Sequence, residues 1–153
     1  MPSRNIRVGR LGEQAAARYL EERGYRILDR NWRSPEPEQR GELDLVLRHR
    51  RVLVICEVKT RTGAALAHPA EAVTPEKAAR LRRLAVLWLR GPSRPPRPAH
   101  RAGALFARSG RSGRSARADG PAPSQVRIDV VAVRLGPVEP FPVLSIEHLQ
   151  GVA

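Results

Sequence analysis

GELDLVLRHRRVLVICEVKTR, residues 41–61, reads as two strands joined by a tight turn. Leu43, Leu45 and Leu47 alternate with Glu42, Asp44 and Val46, the period-two pattern of a half-buried strand. Residues 52–58 are almost continuously apolar, as in a strand covered on both faces. His49, Arg50 and Arg51 form the tip between them. Alternation along the second strand puts Glu57 and Lys59 on one face and Val58 on the other. A two-residue loop of His49 and Arg50 sets Asp44 opposite Ile55, diagonally next to Glu57, and a four-residue loop ending at Val52 sets it opposite Glu57 itself. A three-residue loop separates the two carboxylates.

Two carboxylates at such a spacing repel, and each resists ionising unless a cation lies between them. Mg²⁺ suits the gap, because it takes one or two protein carboxylates and keeps its other positions for water and substrate phosphate. Lys59 then stands beside the ion, able to hold an attacking water or to offset charge developing on a phosphate. The chain has 28 basic residues, of which only Lys59 and Lys77 are lysine. A compact ammonium at position 59 is therefore the minority outcome here, and it differs physically from a forked, permanently charged guanidinium.

Outside this hairpin the pattern continues as alternating helix and strand. Val8, Leu11, Ala15, Tyr19 and Leu20 recur at helical spacing, with Gly24 as the stop. Glu13 sits on the early turns of that helix, at the edge of its apolar stripe, where it reads as a solvated glutamate favoured by the helix dipole. Residues 25–32 read as a first strand and 34–38 as an exposed turn. Residues 60–73 read as an irregular segment at the entrance of the site. Thr74 and Pro75 open a second helix whose buried stripe is Ala78, Leu81, Leu84, Ala85 and Trp88 and which Gly91 ends. Its other face carries Lys77, Arg80, Arg82 and Arg83, either a solvated row or a line of phosphate contacts. Residues 125–134 form a further strand, with Val126, Ile128, Val130 and Ala132 on one face. Its Asp129 is either a paired structural aspartate or a third site carboxylate. Residues 141–149 close the domain as a strand or a short helical turn.

Residues 91–124 differ in kind, with six prolines and seven arginines against one acid, Asp119. Such a stretch buries too little apolar surface to offset its ordering entropy, so it reads as a disordered basic insertion in a single domain spanning 1–153. It serves either as a nucleic-acid tether or merely as a soluble insertion, and the patch at 104–107 could dock on a partner.

Composition sets the class of partner. A formal net charge of +13 over 153 residues attracts polyanions, of which nucleic acid is the obvious one. Cys56 is the single cysteine, which excludes an internal disulfide, and it reads as a small buried hydrophobe. The opening MPSRNIRVGR has no apolar signal core, and no apolar run reaches the length of a membrane span. A cytoplasmic protein away from membranes is the expectation. Histidines 49, 68, 100 and 148 have no zinc-binding spacing.

The motif residues Asp44, Glu57 and Lys59, with the preceding GRLGEQAAARYLEERGYRILDRNWR and the later VRIDVVAV, closely resemble the YraN family of uncharacterised bacterial proteins, which look like Holliday-junction resolvases of the PD-(D/E)xK nuclease superfamily. The resemblance covers most of the chain outside 91–124. It implies an α/β, restriction-endonuclease-like core ordered helix, three strands, helix, strand, with a mixed sheet flanked by helices. It implies a metal-dependent endonuclease acting on phosphodiester bonds, branched DNA among them, with Mg²⁺ or Mn²⁺ as cofactor. Asp44, Glu57, Lys59 and Glu13 match the catalytic set, and Asp44, Glu57 and Glu13 the metal ligands. DNA is expected ahead of RNA, and a homodimer is implied by resolvases that cut two strands symmetrically. Leu43, where the superfamily motif has proline, is a departure. The alternative reading is a protein that grips nucleic acid on this fold without cutting it.

Overall fold

Ser3 caps the first helix with its hydroxyl, and the apolar stripe that follows drives helix α1 over Arg4–Glu21, with Val8, Ala16, Ala17 and Leu20 buried. The computed structural model describes residues 1–64, 68–91 and 121–153. Strands β1 (Arg26–Arg33), β2 (Glu42–His49) and β3 (Val52–Thr62) come next, then helix α2 (Pro75–Arg90) and strands β4 (Gln125–Leu135) and β5 (Val143–Leu149). The five strands form one sheet in the order β1-β2-β3-β4-β5. β3 and β4 are parallel, and the other neighbours are antiparallel. The expected helix, three strands, helix, strand order is thus present, with β5 as an added edge, and the architecture is that of a restriction-endonuclease-like core.

The helices cover opposite faces. Under α2 lie Leu28, Trp32, Leu43, Val46, Ile55, Ile128 and Val130, and under α1 lie Leu45, Leu47, Val54, Cys56, Val131 and Val133. α2 is also tied to β1 by a buried bond from Trp88 Nε1 to Asp29 Oδ2 at 3.0 Å. Two glycines admit the close approach of the helices. A Cβ on Gly12 of α1 meets Thr60 Oγ1 at 1.8 Å, and one on Gly41 meets Leu84 Cδ1 of α2 at 2.5 Å. No larger residue fits either place without a shift.

Two sequence expectations change. Leu43 does not share a face with Leu45 and Leu47, because the pleat breaks where Asn31 adopts a left-handed φ of 48° between the pairs Arg30↔Leu45 and Trp32↔Leu43. The irregular segment after Lys59 starts later than expected, since parallel pairing with β4 carries β3 through Thr62, and a short 3₁₀ turn forms at Pro69–Ala72. Of the two readings for residues 141–149, the strand is the one observed, over Val143–Leu149.

The hairpin turn consists of Arg50 and Arg51, with His49 paired to Val52 and Arg50 at φ 55°. The described ends of the basic insertion are tied down: Gly91 N donates to Leu87 O at 2.9 Å, and Ser124 N donates to Arg51 O at 2.9 Å. The body of the insertion, including the patch at 104–107, lies outside the described residues. Among the described residues no helix is long and apolar enough to cross a membrane.

Candidate metal and phosphodiester site

The β2–β3 register runs from His49↔Val52 to Leu45↔Cys56, and one further step sets Asp44 across from Glu57. This is the second of the two registers compatible with a shared site. At the end of the pairing, Asp44 Oδ2 takes the place of a backbone partner and accepts from Val58 N at 2.8 Å. Glu57 lies on the α2 side of the sheet, paired across the parallel ladder with Val130, and its side chain is 11% exposed. Lys59 follows on the same face, with Nζ 3.6 Å from Glu57 Oε1.

Glu13 approaches from the other layer. Contact of Gly12 with Thr60 seats α1 directly on β3, and the next residue reaches the break in β1, where Glu13 Oε2 accepts from Asn31 Nδ2 at 3.0 Å. Its charge is close enough to act on Asp44. All four residues expected in the site, Asp44, Glu57, Lys59 and Glu13, therefore surround one corner of the sheet. Glu42 is drawn aside by Arg33, whose Nε lies 3.1 Å from Glu42 Oε2.

Two members were not anticipated. Lys77, read from sequence as one of a row that is either solvated or in contact with phosphates, turns inward from the first turn of α2 to place Nζ 2.5 Å from Glu57 Oε1. Asn31 holds Glu13. The scarcity of lysine was a usable signal for the first, because both lysines of the chain meet at one carboxylate oxygen. An asparagine in a strand is a weaker signal, pointing to a left-handed backbone that few other residues tolerate.

The electrostatics of the corner are unbalanced at Asp44. Burial raises its carboxyl pKa to about 7, reinforced by the charges of Glu57, Glu13 and Glu42, while the Val58 N–H opposes the rise. A cation brought between these oxygens offsets both burial and repulsion. Among the described residues no three His, Cys, Asp or Glu side chains gather into a ready cage. The donors at the corner are the carboxylate oxygens of Asp44 and Glu57, the oxygen type that hard divalent ions take.

Asp129 is not part of this corner. It is fully buried on the α1 face of β4, opposite Cys56, and is bound by Arg127 through two bonds of 2.8 Å, by His148 Nε2 at 2.8 Å and by Gly151 N at 3.0 Å. Of its two readings, the paired structural aspartate is the one observed. Cys56, between the two aspartates, is 1% exposed, and burial followed by the charges of Asp129 and Asp44 holds its thiol protonated.

The profile of Uncharacterised protein family UPF0102 matches residues 12–133, a span that contains Glu13, Asp44, Glu57, Lys59 and Lys77. A UPF0102 protein of Frankia alni is 45% identical over 145 residues, covering 94% of this chain and 92% of the relative. One from Streptomyces coelicolor is 42% identical over 146 residues, covering 95% and 88%, and one from Streptomyces griseus is 41% identical, covering 95% of each. Both the matched span and the nearly full-length relatives agree with the resemblance drawn from the hairpin motif, and the chain belongs to the uncharacterised family UPF0102, the YraN family.

Proposed function

We propose that this protein is a metal-dependent endonuclease of the PD-(D/E)xK type, acting on phosphodiester bonds of nucleic acid, with DNA ahead of RNA. The observation that carries the reading is the place of Asp44, one step beyond the last β2–β3 pair and across from Glu57, where burial and neighbouring charge push its pKa to about 7. Nothing in a core built only for stability calls for that arrangement, and shifted carboxylates of this kind mark functional sites. The net charge of +13 supports a polyanionic partner met in the cytoplasm.

Asp44 and Glu57 would hold Mg²⁺ or Mn²⁺, with Glu13 reaching the same region. A bound divalent ion supplies charge neutralisation at the phosphate and a water of lowered pKa. Around it, the chain's own groups position the reaction. The Val58 N–H fixes the Asp44 carboxylate, and Asn31 fixes Glu13. Lys59, 35% exposed on the open side of Glu57, donates to the attacking water or to a phosphate oxygen and offsets the charge that grows as water adds to phosphorus.

The same charge also supports the alternative, a binding module that grips nucleic acid without cutting it. Salt dependence cannot separate the two, since both rest on phosphate contacts. Metal dependence does. Labelled four-way junction, flap, duplex, single-stranded DNA and structured RNA are incubated with protein in Mg²⁺, Mn²⁺ or EDTA, beside Lys59→Ala. The nuclease reading expects cutting only with metal and a loss of at least about 100-fold in the variant. Tight binding with no cutting under every metal condition transfers the assignment to the binding module.

A further inference from the structure

Lys77 Nζ lies 2.5 Å from Glu57 Oε1, nearer than Lys59 Nζ at 3.6 Å, and both approach the same oxygen. Lys77 is 23% exposed and Glu57 is 11% exposed, so the pair is only partly screened by water. The position works against the helix that carries it. Thr74 is the N-cap and Pro75 the first helical residue, which puts Lys77 in the first turn, where the helix dipole disfavours a cation. Lys77 N is also spent on the cap, donating to Thr74 Oγ1 at 3.2 Å, which anchors the root of the side chain. A chain with 26 arginines has thus placed one of its two lysines at a helix start unfavourable to it, aimed at a nearly buried carboxylate.

An ammonium and a divalent cation repel each other and so compete for one carboxylate oxygen. Resting on the nuclease reading of the site, we propose that Lys77 is a resident counter-ion which occupies Glu57 Oε1 until a divalent cation takes that oxygen, and which then turns to the phosphate of the bound nucleic acid. Exchange keeps a cation beside Glu57 in both states. In the metal-free state Lys77 neutralises Glu57. In the loaded state its released ammonium stands beside the ion, on the side of the sheet where α2 begins, as a point-charge ligand for a phosphate oxygen. Lysine suits this role better than arginine, whose fork binds a carboxylate through two oxygens and yields it less readily to an ion.

The exchange predicts opposite signs for two measurements on Lys77→Met, which keeps the length of the side chain and removes its charge. Mn²⁺ titrated into protein without nucleic acid, followed by isothermal calorimetry, should bind the variant about three- to tenfold more tightly than wild type, because no ammonium has to leave. Metal-dependent cleavage of a labelled four-way junction should nevertheless fall by about tenfold or more, because the phosphate has lost a cation. Lys77→Arg should restore charge but not cleavage, and it serves as the comparison should the methionine variant fold poorly. Unchanged or weaker Mn²⁺ binding in Lys77→Met overturns the exchange and leaves Lys77 as a plain support for Glu57. Tighter Mn²⁺ binding with no cleavage by wild type keeps the exchange at Glu57 and overturns the nuclease reading and the phosphate role. No Mn²⁺ binding by either protein overturns both.

Discussion

Strand β3 has an aspartate on each side, Asp44 in β2 and Asp129 in β4, and the two are held in opposite ways. Burial works to raise the pKa of Asp129, but hydrogen bonds from His148, Arg127 and the Gly151 N–H outweigh it, and the carboxyl is lowered below its ordinary range. Arg127 is in turn raised, first by its bond to Asp129, and also bonds Tyr25 Oη at 3.0 Å. Asp44 has one backbone donor, Val58 N, and three carboxylates acting on it, and its pKa rises to about 7. A buried carboxylate that serves the fold is saturated by partners. One left with an excess of like charge costs stability, and on that contrast the proposal of a metal site at Asp44 rests.

The largest effect that sharpens the contrast is expected at Asp129. Asp129→Ala leaves the Arg127 guanidinium and His148 without their buried partner, and urea unfolding should show a loss of about 3–5 kcal/mol. A loss below about 1 kcal/mol would mean that this cluster is no more structural than the Asp44 corner. Gly12→Ala acts through packing. Its methyl group meets Thr60 Oγ1 at 1.8 Å, so α1 must lift from β3, at a cost of about 1–3 kcal/mol. The same shift should carry Glu13 away from Asp44, and cleavage should fall more than the stability loss alone explains.

A smaller, pH-dependent effect is expected at Asp44. Its folded pKa, about 7, lies above the unfolded value of 3.8, so the folded state holds the proton more tightly. Its contribution to stability is complete below about 3.8 and is lost as pH rises through about 7. Asp44→Asn mimics the protonated form at every pH. In EDTA its thermal midpoint should match wild type near pH 4 and exceed it by pH 8, by the equivalent of about 2 kcal/mol, roughly half the full conversion of the shift because the carboxyl is partly screened by solvent. Asp129 titrates with the opposite sign: its contribution is present above 3.8 and fades as pH falls through its lowered folded value.

Much of this arrangement was legible in residues 41–61 because a hairpin is local. Alternation identifies the strands, the E-x-K spacing fixes one face, and only the turn length leaves the register open between two compatible settings. The turn of Arg50 and Arg51 decides it. The helix stripes were equally readable, since Ala78, Leu81, Leu84, Ala85 and Trp88 are all buried. What escaped depends on contacts between distant segments. Helical periodicity shows which side of α2 meets the core but not that Lys77, on its flank, meets Glu57. Alternation assumes an unbroken pleat, and Asn31 breaks it, sending Leu43 to the opposite layer and giving Glu13 its partner. Asp129 could only be resolved by its partners Arg127, His148 and Gly151, two of which reach it from beyond its own strand.

The central claim is that the excess negative charge around Asp44 is matched to a divalent cation. The most direct measurement is the thermal unfolding midpoint of wild type and Asp44→Asn at pH 8, each in EDTA and in excess Mg²⁺ or Mn²⁺. The account predicts that metal raises the wild-type midpoint by several degrees and leaves that of the variant unmoved, because binding to the folded state stabilises it only where the ligand set is intact. Equal shifts in both proteins, or none in wild type, would contradict it.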